Sequence, residues 1–313
     1  MASAETINYS FVHISDLQYV TELHPNTANY TFSYLESQKS IYNISAIINT
    51  GDFVQNMYND TQWIHYLNAK SHTSIPIYES PGNHDVMGDN RKYPNPDFRF
   101  FDKYIGTDKR NYSVVLNDLI LISLNAPTES EVDPSILNYA KNTISENPTK
   151  FPIILSHTCM YPQNGTLLES GLSIKNTLIL RPSIILCGHF NSFVKYDTFN
   201  LIPFAMIMTN YQNYRGSKNI SAGRIFFITS TNNTVKKITM KNIMIYDKFT
   251  PTGIQDEEII LYDNTEDNLS EKEVELPSSD QLILPAPTKS GSPIPICIMS
   301  ICILTLILYA TRR

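Results

Sequence analysis

Five short apolar runs in this chain each end on residues able to bind a cation, and that recurrence limits the fold more than any other feature. Residues 9–14 end at Ser15-Asp16-Leu17-Gln18, residues 45–50 at Gly51-Asp52, and residues 75–79 lead to Gly82-Asn83-His84-Asp85. Further on, residues 151–156 end at His157 and residues 183–186 at Cys187-Gly188-His189-Phe190-Asn191. Apolar runs of this length read as strands buried on both faces, the pattern of parallel sheets. In such sheets the chemistry gathers outside the carboxyl ends of the strands. One such junction carries little weight, because Gly-Asn turns are common and a neighbouring histidine is usually a solvated loop residue. Five in order point to one site assembled from five loops.

The intervening stretches supply the rest of the architecture. Residues 30–42 and 60–70 carry aromatic and aliphatic side chains at helical spacing, so the first strands form βαβ units. Residues 97–105 read as a short aromatic helix, and Asn117-Asp118 between two apolar runs is a hairpin signal that turns the sheet antiparallel. Asp133-Pro134 opens a helix over 134–147, and 172–180 is a further helix. Strands over 199–208, 223–230 and 235–246, with a turn at Asn232-Asn233, complete a second set, so two packed sheets are expected rather than one open sheet. By strand parity His13 points away from Asp16 and is read as a packed histidine.

The composition, 42% hydrophobic and 17% charged over 313 residues, is enough for one large core, read as a single catalytic domain over 1–255. A net charge of -6 argues against a nucleic-acid partner, which calls for a basic face. The four cysteines form no CxxC pair and read as small buried thiols, with a Cys159–Cys187 disulfide as the alternative. Residues 256–293 are acidic and Pro/Ser-bearing, too polar to order themselves, and read as a flexible linker. Residues 294–310 are almost wholly apolar and uncharged, which fits a single transmembrane anchor. The first residues lack the apolar stretch of a signal peptide, which favours a tail-anchored protein with its domain in the cytosol. The Arg312-Arg313 end and the Asn-x-Ser/Thr sequons at Asn29, Asn59, Asn111, Asn164 and Asn268 favour the lumenal or extracellular alternative.

The order Asp16-Leu17-Gln18, Gly51-Asp52, Gly82-Asn83-His84-Asp85, His157 and Gly188-His189-Phe190-Asn191 resembles the calcineurin-like metallophosphoesterases, in particular their large, often exported phosphohydrolases. The resemblance covers residues 9–251. It implies an α/β fold, a four-layer α-β-β-α sandwich with two mixed sheets, and a centre for two divalent metal ions bridged by Asp52. One ion would take Asp52, Asn83, His157 and His189. The other would take Asp16, Asp52 and the positions of Gln18 and Asn191, where the commonest family pattern has histidines. These two amides read equally as ligands or as donors that hold a water. Oxygen-rich donors suit Mn²⁺ or Mg²⁺, with Zn²⁺ or Fe²⁺ as alternatives.

The implied reaction is hydrolysis of a small phosphoester, mono- or diester, by a metal-bound hydroxide. His84 is placed to protonate the leaving oxygen. Asp85 either orients the His84 ring or caps the turn. Tyr19, Arg91 and Tyr161 are candidates for the cleft wall, though each is commonly a surface residue type. The rival reading, kept alive by Gln18 and Asn191, is a catalytically degenerate phosphate-binding or interaction module on a membrane.

Overall fold

Two six-stranded sheets form the frame, and the carboxyl ends of their parallel strands set where the loops meet. The computed structural model describes residues 5–87, 96–212, 219–248 and 251–265. In the first sheet β1 (Thr6–Ile14), β2 (Ile44–Asn49) and β3 (Ile77–Glu79) run parallel. Beyond β1, the long strands β10 (Ser221–Thr231), β11 (Thr234–Tyr246) and β12 (Gly253–Asp263) extend that sheet antiparallel. In the second, β5 (Leu119–Ser123), β6 (Phe151–Leu155), β7 (Ser183–Cys187) and β9 (Ile202–Met208) are parallel. Antiparallel strands flank them, β4 (Tyr112–Leu116) on one edge and β8 (Phe193–Phe199) on the other. Both sheets are mixed, as expected.

The period-2 geometry of a strand sends alternate side chains to opposite faces, and each apolar run uses both. Phe11, Ala46 and Ile48 face Leu121, Ile153, Leu155, Leu186 and Ile207 between the sheets. Phe11 stacks on Phe226 of the neighbouring strand at 4.5 Å. The outer face of the first sheet, with Val12, Ile14 and Ile47, is covered by α1 (Gln18–Leu23), α2 (Pro25–Gln38) and α3 (Asp60–Lys70) through Val20, Phe32, Leu35, Trp63 and Tyr66. The outer face of the second is covered by α6 (Pro134–Glu146) and α7 (Glu169–Leu178) through Leu137, Ala140, Ile144, Ile174 and Leu178. Helix, sheet, sheet and helix thus form the four layers.

Turn chemistry explains the connections. Asn117 adopts φ 52° in the β4–β5 hairpin, and Asn232 and Asn233 at φ 51° and 58° make the left-handed pair that a two-residue hairpin needs. Asn59 and Asp133 cap α3 and α6 by accepting from the N–H groups of Thr61 and Ser135. Pro25 starts α2 five residues ahead of the apolar spacing, because proline is pre-set for the first helical position. Likewise α7 begins at Glu169 and ends at Leu178, and β8 forms where the sequence showed no clear alternation.

Two expectations are corrected here. The boundary expected at residue 256 between domain and linker does not hold, because Gly253–Asp263 is strand β12, paired with β11. The acidic Asp256, Glu257 and Glu258 are exposed on this edge strand, while Ile254, Ile259, Leu261 and Tyr262 pack inward. An edge strand is held by main-chain pairing and tolerates charge that a central strand would not. Second, Cys159 and Cys187 are joined in a disulfide rather than standing as separate thiols. The rest of the expected linker, from 266, and the apolar segment 294–310 lie outside the described residues. Among the described residues no helix is long and apolar enough to cross a membrane.

The disulfide closes a loop across a sequence separation of 28, and a cross-link of that span stabilises a fold by roughly 3.5 kcal/mol in the chain-entropy picture. Replacing both residues, Cys159→Ser with Cys187→Ser, is expected to lower the urea-unfolding free energy by about that amount and to raise the m-value, because the unfolded chain loses a restraint and exposes more surface. An unchanged midpoint would show that the bond restrains nothing in the unfolded chain.

Candidate metal centre

Asp16, Asp52, Asn83, His157 and His189 follow β1, β2, β3, β6 and β7, and main-chain bonds lock these loops together. Asp16 N–H donates to the Gly51 carbonyl and Gly188 N–H to the His157 carbonyl, each at 2.9 Å. The His189 N–H donates to both oxygens of Asp16 at 3.0 and 3.1 Å. The approach is close enough to require glycine: a Cβ on Gly82 would sit 2.2 Å from the Asp52 nitrogen. Gly51 faces it at φ 104°, a conformation that L side chains rarely adopt. Asp16, Asp52 and His189 themselves adopt φ 59°, 57° and 75°. Left-handed backbone at a residue other than glycine costs on the order of 1 kcal/mol or more and gathers at functional sites. Here it falls on three of the candidate ligands.

Their side chains converge. One ligand atom each from Asp52, His157 and His189 lies within 4.8 Å of the other two. His157 donates from Nδ1 to the Thr50 carbonyl at 2.7 Å, which turns Nε2 toward Asn83 Oδ1 at 3.0 Å and Asp52 Oδ2 at 3.3 Å. Gln18 is buried, and its amide nitrogen donates to Asp52 Oδ2 at 3.4 Å while its oxygen has no hydrogen-bond partner among the described residues. Asn191 departs from this set: it is exposed and hydrogen-bonds to none of the other candidate ligands among the described residues.

Electrostatics follow from burial. Asp16 is pushed up to about 7, first by desolvation and further by the Asp52 carboxylate, against the pull of His157. Burial would also raise Asp52, but the His157 and His84 imidazoles outweigh it and hold the group well below the carboxylate range. Burial would lower His157, yet Asp52 overrides it and brings the ring up to about 9. His189 is lowered to about 4 by burial and by the neighbouring His157. Two buried carboxylates, two imidazoles, an amide oxygen of Asn83 and an unpartnered oxygen of Gln18 form a donor set that suits divalent cations. A buried unpartnered acceptor otherwise costs roughly 1–3 kcal/mol.

His84 and Asp85 have separate jobs. The His84 ring is half-buried, and its Nδ1 donates to the Gln55 carbonyl at 3.0 Å, leaving Nε2 for other partners. Burial would lower its pKa, but Asp52 and the Gln55 carbonyl raise it above the ordinary value. Asp85 does not orient this ring. One oxygen accepts from the N–H groups of Asp52 and Gly82 at 2.8 Å, the other from Phe53 at 2.7 Å and Val54 at 3.3 Å. The turn-capping alternative is the one the structure bears out. Tyr161 is exposed, Tyr19 is half-buried with its N–H bonded to Gln212, and Arg91 lies outside the described residues.

Sequence reasoning passed over Glu129, whose Oε1 lies 3.1 Å from His189 Nε2. It sits in the loop before α6 with no periodic or motif context to mark it. His13, read as a packed histidine, is that and more. Its ring bridges the hydroxyls of Thr50 and Thr209 at 2.9 and 3.0 Å, and Thr50 in turn donates to Ser15.

Burial and the nearby Arg224 charge lower His13 to about 3, so it is neutral in the folded protein. An unfolded histidine titrates near 6.5, so between about pH 6.5 and pH 3 the unfolded chain binds the extra proton. Stability from this group is therefore complete above pH 6.5 and lost as pH falls, with a slope approaching ~1.4 kcal/mol per pH unit. The unfolding free energy of the wild type relative to His13→Gln is expected to be constant from pH 7 to 8 and to shrink steadily below pH 6. A difference independent of pH would show that His13 is not held neutral.

With this geometry in view, the comparisons with known proteins are specific about family and sparing about activity. Residues 104 in number align at 29% identity with the uncharacterized protein YvnB of Bacillus subtilis strain 168, covering 32% of this chain and 8% of that protein. Purple acid phosphatase PPD1 of yellow lupin, Lupinus luteus, shares the fold at TM-score 0.54 and 10% identity. That likeness covers 79% of this chain and 53% of the lupin chain. GAP50, the anchor in the inner membrane complex of Plasmodium, aligns at TM-score 0.47 and 13% identity over 82% of this chain and 90% of its own. The chain thus spans about half the lupin enzyme and a small part of the Bacillus protein. Residues 9–193, more than half of the chain, match the family described as calcineurin-like phosphoesterase, and the chain belongs to that family.

Proposed function

We propose that this chain is a metal-dependent hydrolase of phosphate mono- or diesters, working at a two-metal centre. The observation that carries the reading is the convergence of Asp52, His157 and His189 on one point, with Asn83 against His157 and the His84 ring held through Nδ1 by the Gln55 carbonyl. Asp52, Asn83, His157 and His189 would hold one divalent ion, and Asp16, Asp52 and Gln18 the other, with Asn191 left outside. The oxygen-rich second set favours Mn²⁺ or Mg²⁺. Bound cations of this kind supply Lewis acidity to the phosphoryl group and make a water acidic enough to deprotonate near neutral pH.

The protein's own groups do the rest. His84, held through Nδ1 by the Gln55 carbonyl, presents Nε2 as the donor that gives its proton to the leaving oxygen. Asp52 and the Gln55 carbonyl shift its pKa upward, the direction a proton donor needs. Gln18 steadies Asp52 by donating to Oδ2, while the His84 N–H donates to Oδ1 at 2.9 Å.

Purified protein is expected to hydrolyse nitrophenyl phosphate or its diester with Mn²⁺. His84→Ala should lower kcat by ~10² to 10⁴-fold with Mn²⁺ binding retained, and Asn83→Ala should weaken Mn²⁺ binding. Failure with every divalent metal, or activity indifferent to both changes, would favour the degenerate module.

The segment 294–310 supports attachment to a membrane. For its orientation, the Cys159–Cys187 disulfide supports the lumenal or extracellular alternative over the cytosolic one, since disulfides persist in oxidising compartments. The sequon residues Asn59 and Asn164 are exposed in the fold. In a eukaryotic host, glycosidase treatment should therefore shift the mobility of the full chain. The absence of a shift, with both cysteines recovered as free thiols, would return the domain to the cytosol.

A further inference from the structure

We propose that Glu129 is a positioning residue that fixes the tautomer and direction of the His189 ring, so that Nδ1 is the nitrogen offered to a metal ion. This rests on reading His189 as a ligand of the phosphoesterase centre. A neutral imidazole has one N–H and one bare nitrogen, and only the bare one can bind a metal. The His189 Nε2 lies 3.1 Å from Glu129 Oε1, so a carboxylate there accepts the proton-bearing nitrogen and leaves Nδ1 bare. A carboxylate bonded to the outer nitrogen of a ligand histidine both orients the ring and raises its basicity.

The surroundings hold Glu129 in place for this. Its carbonyl accepts from the Ser170 N–H at 3.1 Å, and the preceding carbonyl, of Thr128, accepts from the Thr158 hydroxyl. Thr158 directly follows His157, so the loop that carries Glu129 is tied to the loop that carries the other ligand histidine. The second carboxylate oxygen accepts from the Tyr161 hydroxyl at 3.4 Å. On the other side, the His189 ring is wedged edge-on between His157 at 5.2 Å and Phe190 at 4.3 Å, and its N–H is anchored to Asp16. Rotation of the ring is thus limited sterically, and Glu129 selects which nitrogen keeps the proton.

The test begins on metal-free wild-type protein, by long-range ¹H–¹⁵N correlation of the imidazole nitrogens. The Nε2–H tautomer is expected for His189, and an Nδ1–H tautomer would overturn the proposal. Glu129→Ala should mix the tautomers and weaken Mn²⁺ binding, measured by calorimetry with the metal alone, by ~10 to 100-fold. Unchanged Mn²⁺ affinity would overturn it. Glu129→Gln retains an oxygen acceptor and should restore the tautomer and most of the affinity. A loss in the Gln variant as large as in Ala, with the tautomer intact, would make the carboxylate itself a ligand and likewise overturn the positioning role. If the Ala variant does not fold, the wild-type spectrum and the Gln variant still decide. A wild type inert toward every phosphoester that nonetheless shows both effects would sink the hydrolase reading and support this one.

Discussion

The carboxylate of Asp85 is the interaction on which the arrangement of the centre depends. It gathers the N–H groups of Asp52, Phe53, Val54 and Gly82, two of them at each oxygen, from the loop after β2 and the turn before the short helix Asn83–Val86. No neutral side chain of that size offers acceptors enough for four donors, and a buried donor left without one costs roughly 1–3 kcal/mol. Burial and the nearby Asp52 carboxylate push the Asp85 pKa up, so the four donors are also what support its charge so far from water. By gripping the Asp52 N–H it sets the left-handed backbone at that residue and hence the direction in which the Asp52 side chain points.

From Asp52 the constraint spreads outward. Its two oxygens accept from the His84 main chain and the Gln18 amide and approach His157, so one buried carboxylate touches groups from three other loops. The disulfide between Cys159 and Cys187 joins a position two residues after His157 to one two residues before His189. Ordering three candidate ligands in strained backbone, and burying Asp16 beside Asp52, opposes folding. These main-chain bonds and the covalent link are what offset it.

The two sheets supply the rigidity beneath this. Strands β1, β2, β6 and β7 are buried on both faces over their carboxyl halves, so none can slide in register without exposing an apolar side chain. Loops on such a frame are displaced little, which suits a site that needs several donors within a few ångströms of one point.

The sequence by itself determined the parallel core, the two mixed sheets and the five strand ends that carry Asp16, Asp52, Asn83, His157 and His189. Each of these is written locally, in a short apolar run, a glycine and a polar residue beside it. The cap of α6 and the Asn turns were legible for the same reason, whereas the Asn59 cap of α3 came only with the fold. What only the tertiary structure decided depends on pairing residues far apart in the chain. Strand β12 exists because β11 offers it an edge, although its own composition is acidic. Whether Asp85 serves a ring or a backbone loop turned on where residues 52–54 lie, and a thiol or a disulfide at Cys159 turned on the approach of Cys187. Glu129 had no local signal at all, since a single loop glutamate acquires meaning from the histidine 60 positions away that it meets. Gln18 and Asn191 make the same point together: the same kind of departure in sequence, yet one amide is buried against Asp52 and the other faces solvent. Side-chain type and spacing specify which elements form, and long-range packing alone specifies which polar groups share a buried site.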